Sequence, residues 1–162
     1  MTRGNGKRSS SPKTSPPSRS VAQRAHDGKE EVAFELIDIE KLRPHEQVEL
    51  EVVDRVHADL QKEGRIREPI LVSKEEFVVL NGHHRVAALT RLRARRVPAW
   101  VVRYMSELVE LDRYPGSTYP GSVTKKEVIA HALSARLFPP KTTRHRLRKS
   151  LPDRHTELDD LM

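Results

Sequence analysis

Asn81-Gly82-His83-His84-Arg85 is the run of this sequence with the most chemistry in it. Asn-Gly ordinarily marks a hairpin, yet the residues that follow repeat with a helical rather than an alternating period. The glycine is therefore expected at a strand-to-helix turn. There, unpaired backbone N–H groups and the positive end of the helix dipole attract an anion. Arg85 adds a guanidinium suited to phosphate, and the two histidines add ring nitrogens that titrate near neutral pH. The same run also reads as the exposed start of a surface helix, and a short glycine-led turn does not by itself separate the two.

Two other runs bring reactive groups together. In Arg43-Pro44-His45-Glu46 a proline stiffens a loop in which Glu46, beside His45, could act as a general base. The plainer reading, favoured by these residues alone, has Glu46 stabilise the start of the next helix through its dipole. Pro139-Pro140-Lys141-Thr142-Thr143-Arg144-His145 offers two hydroxyls, a guanidinium, an ammonium and an imidazole, an inventory suited to a phosphate or carboxylate. Its alternative is a solvated basic run continuing through Arg146 to Lys149. His45, His83, His84 and His145 are also metal-ligand types, but none of them pairs at helical i, i+4 spacing, so no metal site is expected. Gly4-Asn5-Gly6-Lys7 lacks the spacing and the preceding strand of a phosphate-binding loop.

The elements that must position these runs follow from periodicity. Phe34 to Ile39 reads as a strand, and Leu50, Val53, Val56 and Leu60 fall on one helical face that Gly64 closes. Pro69–Ser73 and Phe77–Leu80 read as short strands around a Lys74-Glu75 turn. A helix over about 83–93 and a strand over 97–104 come next. Thr124-Lys125-Lys126-Glu127 has the pattern of a capping box, opening a helix expected to run through Leu137 until Pro139-Pro140 ends it. The resulting order, β-α-β-β-α-β-α, implies a single α+β domain with one small mixed sheet and packed helices.

The 162 residues carry a net charge of +7, but the excess lies at the ends. Residues 1–25 contain six basic residues and no acid, whereas 26–140 are nearly balanced and 141–155 are basic again. The expected organisation is a disordered Ser- and Pro-rich basic tail over 1–28, a folded domain over 29–146 and a C-terminal tail over 147–162. The first segment is acid-poor and Ser- and Arg-rich like an organellar transit peptide. It has no amphipathic pattern, which favours a plain solvated tail and a cytoplasmic protein. Weak, non-specific nucleic-acid contact through the basic ends is expected. The chain has no cysteine, which excludes disulfides and thiolate chemistry. No apolar run approaches the ~20 residues of a bilayer span. The N-terminus has no apolar stretch, so no secretory signal is expected.

Taken together, the three runs resemble the fold shared by sulfiredoxin and the N-terminal domain of the chromosome-partitioning protein ParB, over about residues 34–146. Within that superfamily, Leu42-Arg43-Pro44-His45-Glu46, Asn81-Gly82-His83-His84-Arg85 and Leu137 to His145 are most similar to the free serine kinases. That resemblance implies phosphorylation of L-serine to O-phospho-L-serine with ATP or ADP and magnesium. It implies that Glu46, aided by His45, takes the proton of the serine hydroxyl, and that Asn81, Gly82, His83, His84 and Arg85 hold the nucleotide phosphates. It further implies that Tyr114, Thr142, Thr143, Arg144 and His145 bind the amino acid. Asn81 stands where those relatives usually have Asp, and Tyr114 where they often have Trp. The chain ends soon after the third run, so a further substrate-closing segment is expected to be missing. The alternative is a ParB-like nucleotide-binding or DNA-binding regulator without catalysis. A DNA reader of that kind would need a helix-turn-helix after Tyr104, where only one strong helix is expected. Sulfiredoxin chemistry itself needs a cysteine and is excluded.

Overall fold

The apolar alternation of the first strand places Ile37 inward and its neighbours outward in β1 (Val32–Asp38) of the computed structural model, which describes residues 32–162. A 3-10 turn (Ile39–Lys41) and an extended loop lead to α1 (Leu50–Glu63), whose Val53 and Leu60 are buried. Gly64 closes α1 with φ +73, a left-handed conformation that costs glycine nothing. Next come β2 (Arg65–Ile66), β3 (Ile70–Ser73), β4 (Val79–Asn81), α2 (His83–Arg91) and β5 (Arg96–Val102). β6 (Val109–Arg113), α3 (Lys125–Ser134), β7 (Thr143–Leu147), β8 (Thr156–Glu157) and a 3-10 turn (Leu158–Leu161) complete the described chain.

The main sheet has the order β1-β5-β3-β4, with β5 and β3 parallel and the outer pairs antiparallel. The expected α+β class with a small mixed sheet is what forms. Two further two-stranded ribbons, β2–β8 and β6–β7, were not expected. Because strand side chains alternate, the sheet feeds two cores. Ile70, Val72 and Val79 join Val53, Leu60, Ala88 and Leu89 of α1 and α2, whereas Leu71, Val78 and Leu80 join Tyr104, Val109 and, from α3, Val128 and Ala132.

Two expectations need correction. The helix opened by Thr124 stops at Ser134 rather than running to Leu137. Ala135 adopts φ +58, and the chain turns so that Phe138 can pair with the loop beside His45. The segment expected as a C-terminal tail is also tied to the domain. β8 pairs with β2, the Arg95 N–H donates to the Leu161 carbonyl, and Leu158 and Leu161 enter the first core. Its apolar residues are too sparse to give a periodicity, so burial there is decided by tertiary contact alone. The expected tail over 1–28 lies outside the described residues.

The capping box at Thr124 is present in both directions: the hydroxyl accepts from the Glu127 N–H, and the Glu127 carboxylate accepts from the Thr124 N–H at 2.8 Å. Thr124→Ala is expected to lower stability by about 1 kcal/mol. A urea midpoint shifted down with an unchanged slope is the result expected, and an unchanged midpoint would make the cap energetically silent.

Candidate active site

The loop carrying His45 and Glu46 is clamped on both edges. Against β4, the Arg43 N–H donates to the Phe77 carbonyl and the Val79 N–H to the Arg43 carbonyl, each at 2.9 Å. On the opposite edge the Gln47 N–H donates to the Phe138 carbonyl and the Phe138 N–H to the His45 carbonyl, each at 2.8 Å. Pro44 needs no partner for a backbone N–H, so it suits the gap between these two sets of bonds.

The histidines of the second run brace the same loop. His83 Nε2 accepts from the His45 N–H at 3.2 Å, and His84 Nε2 accepts from the Glu49 N–H at 3.0 Å. A nitrogen that accepts from an amide carries no proton, so both rings hold theirs on Nδ1. Burial depresses His83 well below the ordinary imidazole range and lowers His84 to a smaller degree. The sequence suggested donors that titrate near neutral pH; the rings are instead neutral, and half of their hydrogen-bonding capacity is spent on the loop. His45 itself is fully buried, its Nδ1–H donating to the Val79 carbonyl at 2.8 Å, and desolvation lowers its pKa to about 4. His145 is also buried. Its Nε2 shares a 2.7 Å bond with the Tyr104 hydroxyl, and burial lowers its pKa to about 3.

The third run closes over Glu46. Lys141 adopts φ +59, which makes the following N–H groups converge into a concavity of the kind that binds anions. Its occupant is the Glu46 carboxylate: Oε2 accepts from the Lys141 N–H at 2.9 Å, while Oε1 accepts from the Thr143 N–H at 3.1 Å and the Thr143 hydroxyl at 3.0 Å. Burial raises the Glu46 pKa above the ordinary carboxylate value, and these donors oppose the rise without cancelling it. A carboxylate raised by burial, yet oriented by fixed donors, has the properties wanted of a general base. Of the two readings open in the sequence, the helix-start role is not what this geometry builds, because the carboxylate faces 141–143 rather than the first turn of α1.

Gly82 begins α2 at φ +111, as the strand-to-helix reading requires. Arg85 is otherwise engaged than expected: its Nη1 donates to the Glu68 and Pro69 carbonyls at 2.7 and 3.0 Å, tying down the turn before β3. Charge-assisted bonds of this kind are worth ~1.5–3 kcal/mol. Arg85→Ala is therefore expected to lower the ligand-free stability by about that amount in chemical denaturation. An unaltered midpoint would return Arg85 to a purely ligand-directed role.

Two cavities meet at Asn81–His84. One, of about 480 Å³, runs along α1 past Val52, Val56 and Leu60 and reaches Arg85. The other, of about 310 Å³, holds Glu46 with Tyr114, Arg144 and Thr143. Tyr114 is fixed there by its N–H to the Thr142 carbonyl at 3.1 Å. Thr142 is not part of the wall, because its hydroxyl donates to the Pro139 carbonyl at 2.7 Å. Lys141, the ammonium of the third run, and Arg55, which the sequence did not single out, complete the second cavity. Arg55 belongs to the polar face of α1, and only the fold reveals that this face borders the cavity. Among the described residues no group of three or more His, Asp or Glu is placed to hold a metal ion.

The basic run after His145 is exposed, and two of its arginines are paired at the surface. Arg146 meets Asp112 at 2.8 Å and Arg148 meets Glu110 at 2.9 Å across the β6–β7 ribbon. No helix among the described residues is long and apolar enough to cross a membrane.

Residues 19–112 match the ParB N-terminal domain, and the chain belongs to that family. It is 34% identical over 97 residues to an ATP-dependent L-serine kinase of Staphylothermus marinus, the match covering 56% of this chain and 37% of that protein. It is 36% identical over 89 residues to a ParB-like protein of Sulfolobus acidocaldarius, covering 55% of this chain and 44% of the relative. The matched region thus spans less than half the length of either relative. A free serine kinase solved in complex with AMP superposes with a TM-score of 0.72 over 80% of this chain and 93% of that one, at 16% identity, which establishes a common fold.

Proposed function

We propose that this protein is a nucleotide-dependent kinase that phosphorylates free L-serine to O-phospho-L-serine. The observation that carries the reading is the Glu46 carboxylate, raised by burial and oriented by the Lys141 and Thr143 N–H groups, on the wall of a small cationic cavity. That cavity joins a larger one at the start of a helix, where phosphate is favoured. The relatives named as L-serine kinases support the same reading.

In this reading the nucleoside lies along the Val52–Leu60 face of α1, and the transferred phosphoryl group sits over Gly82–His84 at the junction. Serine occupies the smaller cavity, its hydroxyl toward Glu46. The Glu46 carboxylate takes the hydroxyl proton as the serine oxygen bonds to phosphorus and the bond to the leaving nucleoside diphosphate or monophosphate breaks. Phosphoryl transfer asks mainly for positioning and charge neutralisation. Arg55, Lys141 and Arg144 supply the charge, and the Nδ1–H groups of His83 and His84 supply further donors.

Magnesium would arrive with the nucleotide. The donor set here fits a protein-held ion poorly, since both Glu46 oxygens already accept N–H donors and Asn81 offers a neutral amide. A protein using free serine and nucleotide belongs in the cytoplasm.

The ParB-like relative keeps a second reading open, a ParB-like nucleotide-binding or DNA-binding regulator without catalysis. One experiment separates the two: phosphoserine formation from serine with ATP, ADP and CTP in parallel, beside calorimetric titration of each nucleotide. Turnover with any donor supports the kinase. Tight nucleotide binding with no phosphoserine from any donor would overturn it in favour of the regulator.

A further inference from the structure

The Thr143 hydroxyl lies between two groups that both want its single hydrogen. His45 Nδ1 must carry a proton, because its partner, the Val79 carbonyl, can only accept. His45 Nε2, 3.0 Å from Thr143 Oγ1, is then an acceptor when the ring is neutral. Glu46 Oε1, 3.0 Å from the same oxygen, is an acceptor when ionised. With His45 neutral and Glu46 ionised, one of the two is left facing a lone pair. His45 is fully buried, so its Nε2 has no solvent to turn to, whereas Glu46 Oε1 keeps the Thr143 N–H and borders the smaller cavity. The hydroxyl hydrogen is therefore contested, and a buried Nε2 left without it carries a real cost.

A single added proton removes the conflict. With the proton on Glu46, its O–H donates to Thr143 Oγ1 and the Thr143 hydroxyl donates to His45 Nε2. With the proton on His45, Nε2–H donates to Thr143 Oγ1 and the hydroxyl donates to Glu46. The two arrangements interconvert by moving two hydrogens: the Glu46 hydrogen passes to Oγ1 as the Oγ1 hydrogen passes to Nε2. Atoms and charge balance, since neutral acid and neutral imidazole become carboxylate and imidazolium.

We infer that Thr143 is a proton relay joining Glu46 to His45, so that a proton accepted at the Glu46 carboxylate is registered at His45 Nε2. This displaces the substrate-binding role that the sequence resemblance implied for Thr143. The relay itself needs only the geometry above; its use in turnover rests on the serine-kinase reading. The groups facing the relay are His83 and His145, with ring centres 4.7 and 5.5 Å from His45, His131 of α3 acting on His45 through its charge, and Lys141 and Arg144 beside Glu46 in the cavity. Burial and His131 disfavour a positive His45, while the cations favour an ionised Glu46. Neither set supplies an alternative hydrogen-bond path between the two.

The test is an acid titration of the ligand-free protein by NMR, following the Glu46 carboxyl carbon and the His45 Nε2 nitrogen together. In the wild type His45 Nε2 is expected to shift in step with the Glu46 carboxyl. Thr143→Val keeps the side-chain shape and the backbone N–H to Glu46 but deletes the hydroxyl, and the step should collapse. Thr143→Ser should restore it. Absence of the step in the wild type, or an undiminished step in Thr143→Val, would overturn the relay, the latter by showing simple charge proximity. In turnover, Thr143→Val should lower kcat on the order of ten- to a hundred-fold with KM little changed, and Thr143→Ser should recover most of it. If the wild type makes no phosphoserine while the NMR step is present, the kinase reading fails and the relay stands.

Discussion

Glu46→Gln is expected to cut phosphoserine formation by ~10²–10⁴-fold, the usual loss on removing a general base, while nucleotide affinity changes only a few-fold. The carboxylate accepts from the Lys141 N–H at one oxygen and from Thr143 at the other. A glutamine can match only one of these with its carbonyl, and its NH₂ then faces a donor. Some stability is therefore lost along with the base, on the order of 1–3 kcal/mol. A denaturation midpoint must be measured beside the rate, so that a folded fraction can be applied to it. The wild-type rate should also decline as pH falls, because the carboxylate must be ionised to accept a proton. Since burial raises its pKa, the acid limb should lie above the ordinary carboxylate range. Wild-type turnover in the glutamine variant would remove Glu46 from the chemistry altogether.

Gly82→Ala is expected to cost the fold itself about 2–6 kcal/mol. A β-carbon at residue 82 would lie 2.5 Å from a methyl carbon of Ile70 and 2.8 Å from its β-carbon, and Ile70 is completely buried in the sheet. Residue 82 also holds φ +111, where an L side chain is strained by ~1–3 kcal/mol. Overpacking a core adds ~1–3 kcal/mol more. Against a typical domain stability of about 5–15 kcal/mol, such a loss is readily seen in a urea titration. A variant as stable as the wild type would mean that β3 and α2 can separate at no cost. The glycine thus has a packing reason to be there, independent of any phosphate.

That distinction explains what could be read from the sequence. α1, the β3–β4 pair, the start of α2 and the capping box of α3 were legible because each has a local cause: a helical apolar face, an apolar pair around a turn, a glycine, a Thr and Glu three apart. β7 was hidden because its buried residues, Thr143 and His145, are polar and satisfied only by partners elsewhere, Glu46 and Tyr104. Its outward arginines are solvated charge, and nothing in the sequence signalled the Asp112 and Glu110 partners opposite them. The neutral, loop-bracing histidines were equally out of reach, since a ring nitrogen becomes an acceptor only through the amide it meets. Arg55 is an ordinary surface arginine in the sequence, and only the packing of α1 places it in the lining of the cavity that holds Glu46.

The bonds between Glu46 and Thr143 span 97 positions of chain, and those between His45 and Thr143 span 98. Contacts so remote in sequence close late, after loop entropy has been offset by nearer pairings. During synthesis Glu46 leaves the ribosome well before its partners exist, at ~5–20 residues per second. A nascent chain that already has α1, α2 and the main sheet still lacks the backbone amides that orient the carboxylate. Competence at this site is therefore coupled to completion of the β6–β7 ribbon, and a partly made or clipped chain would hold the pieces of the centre without its function.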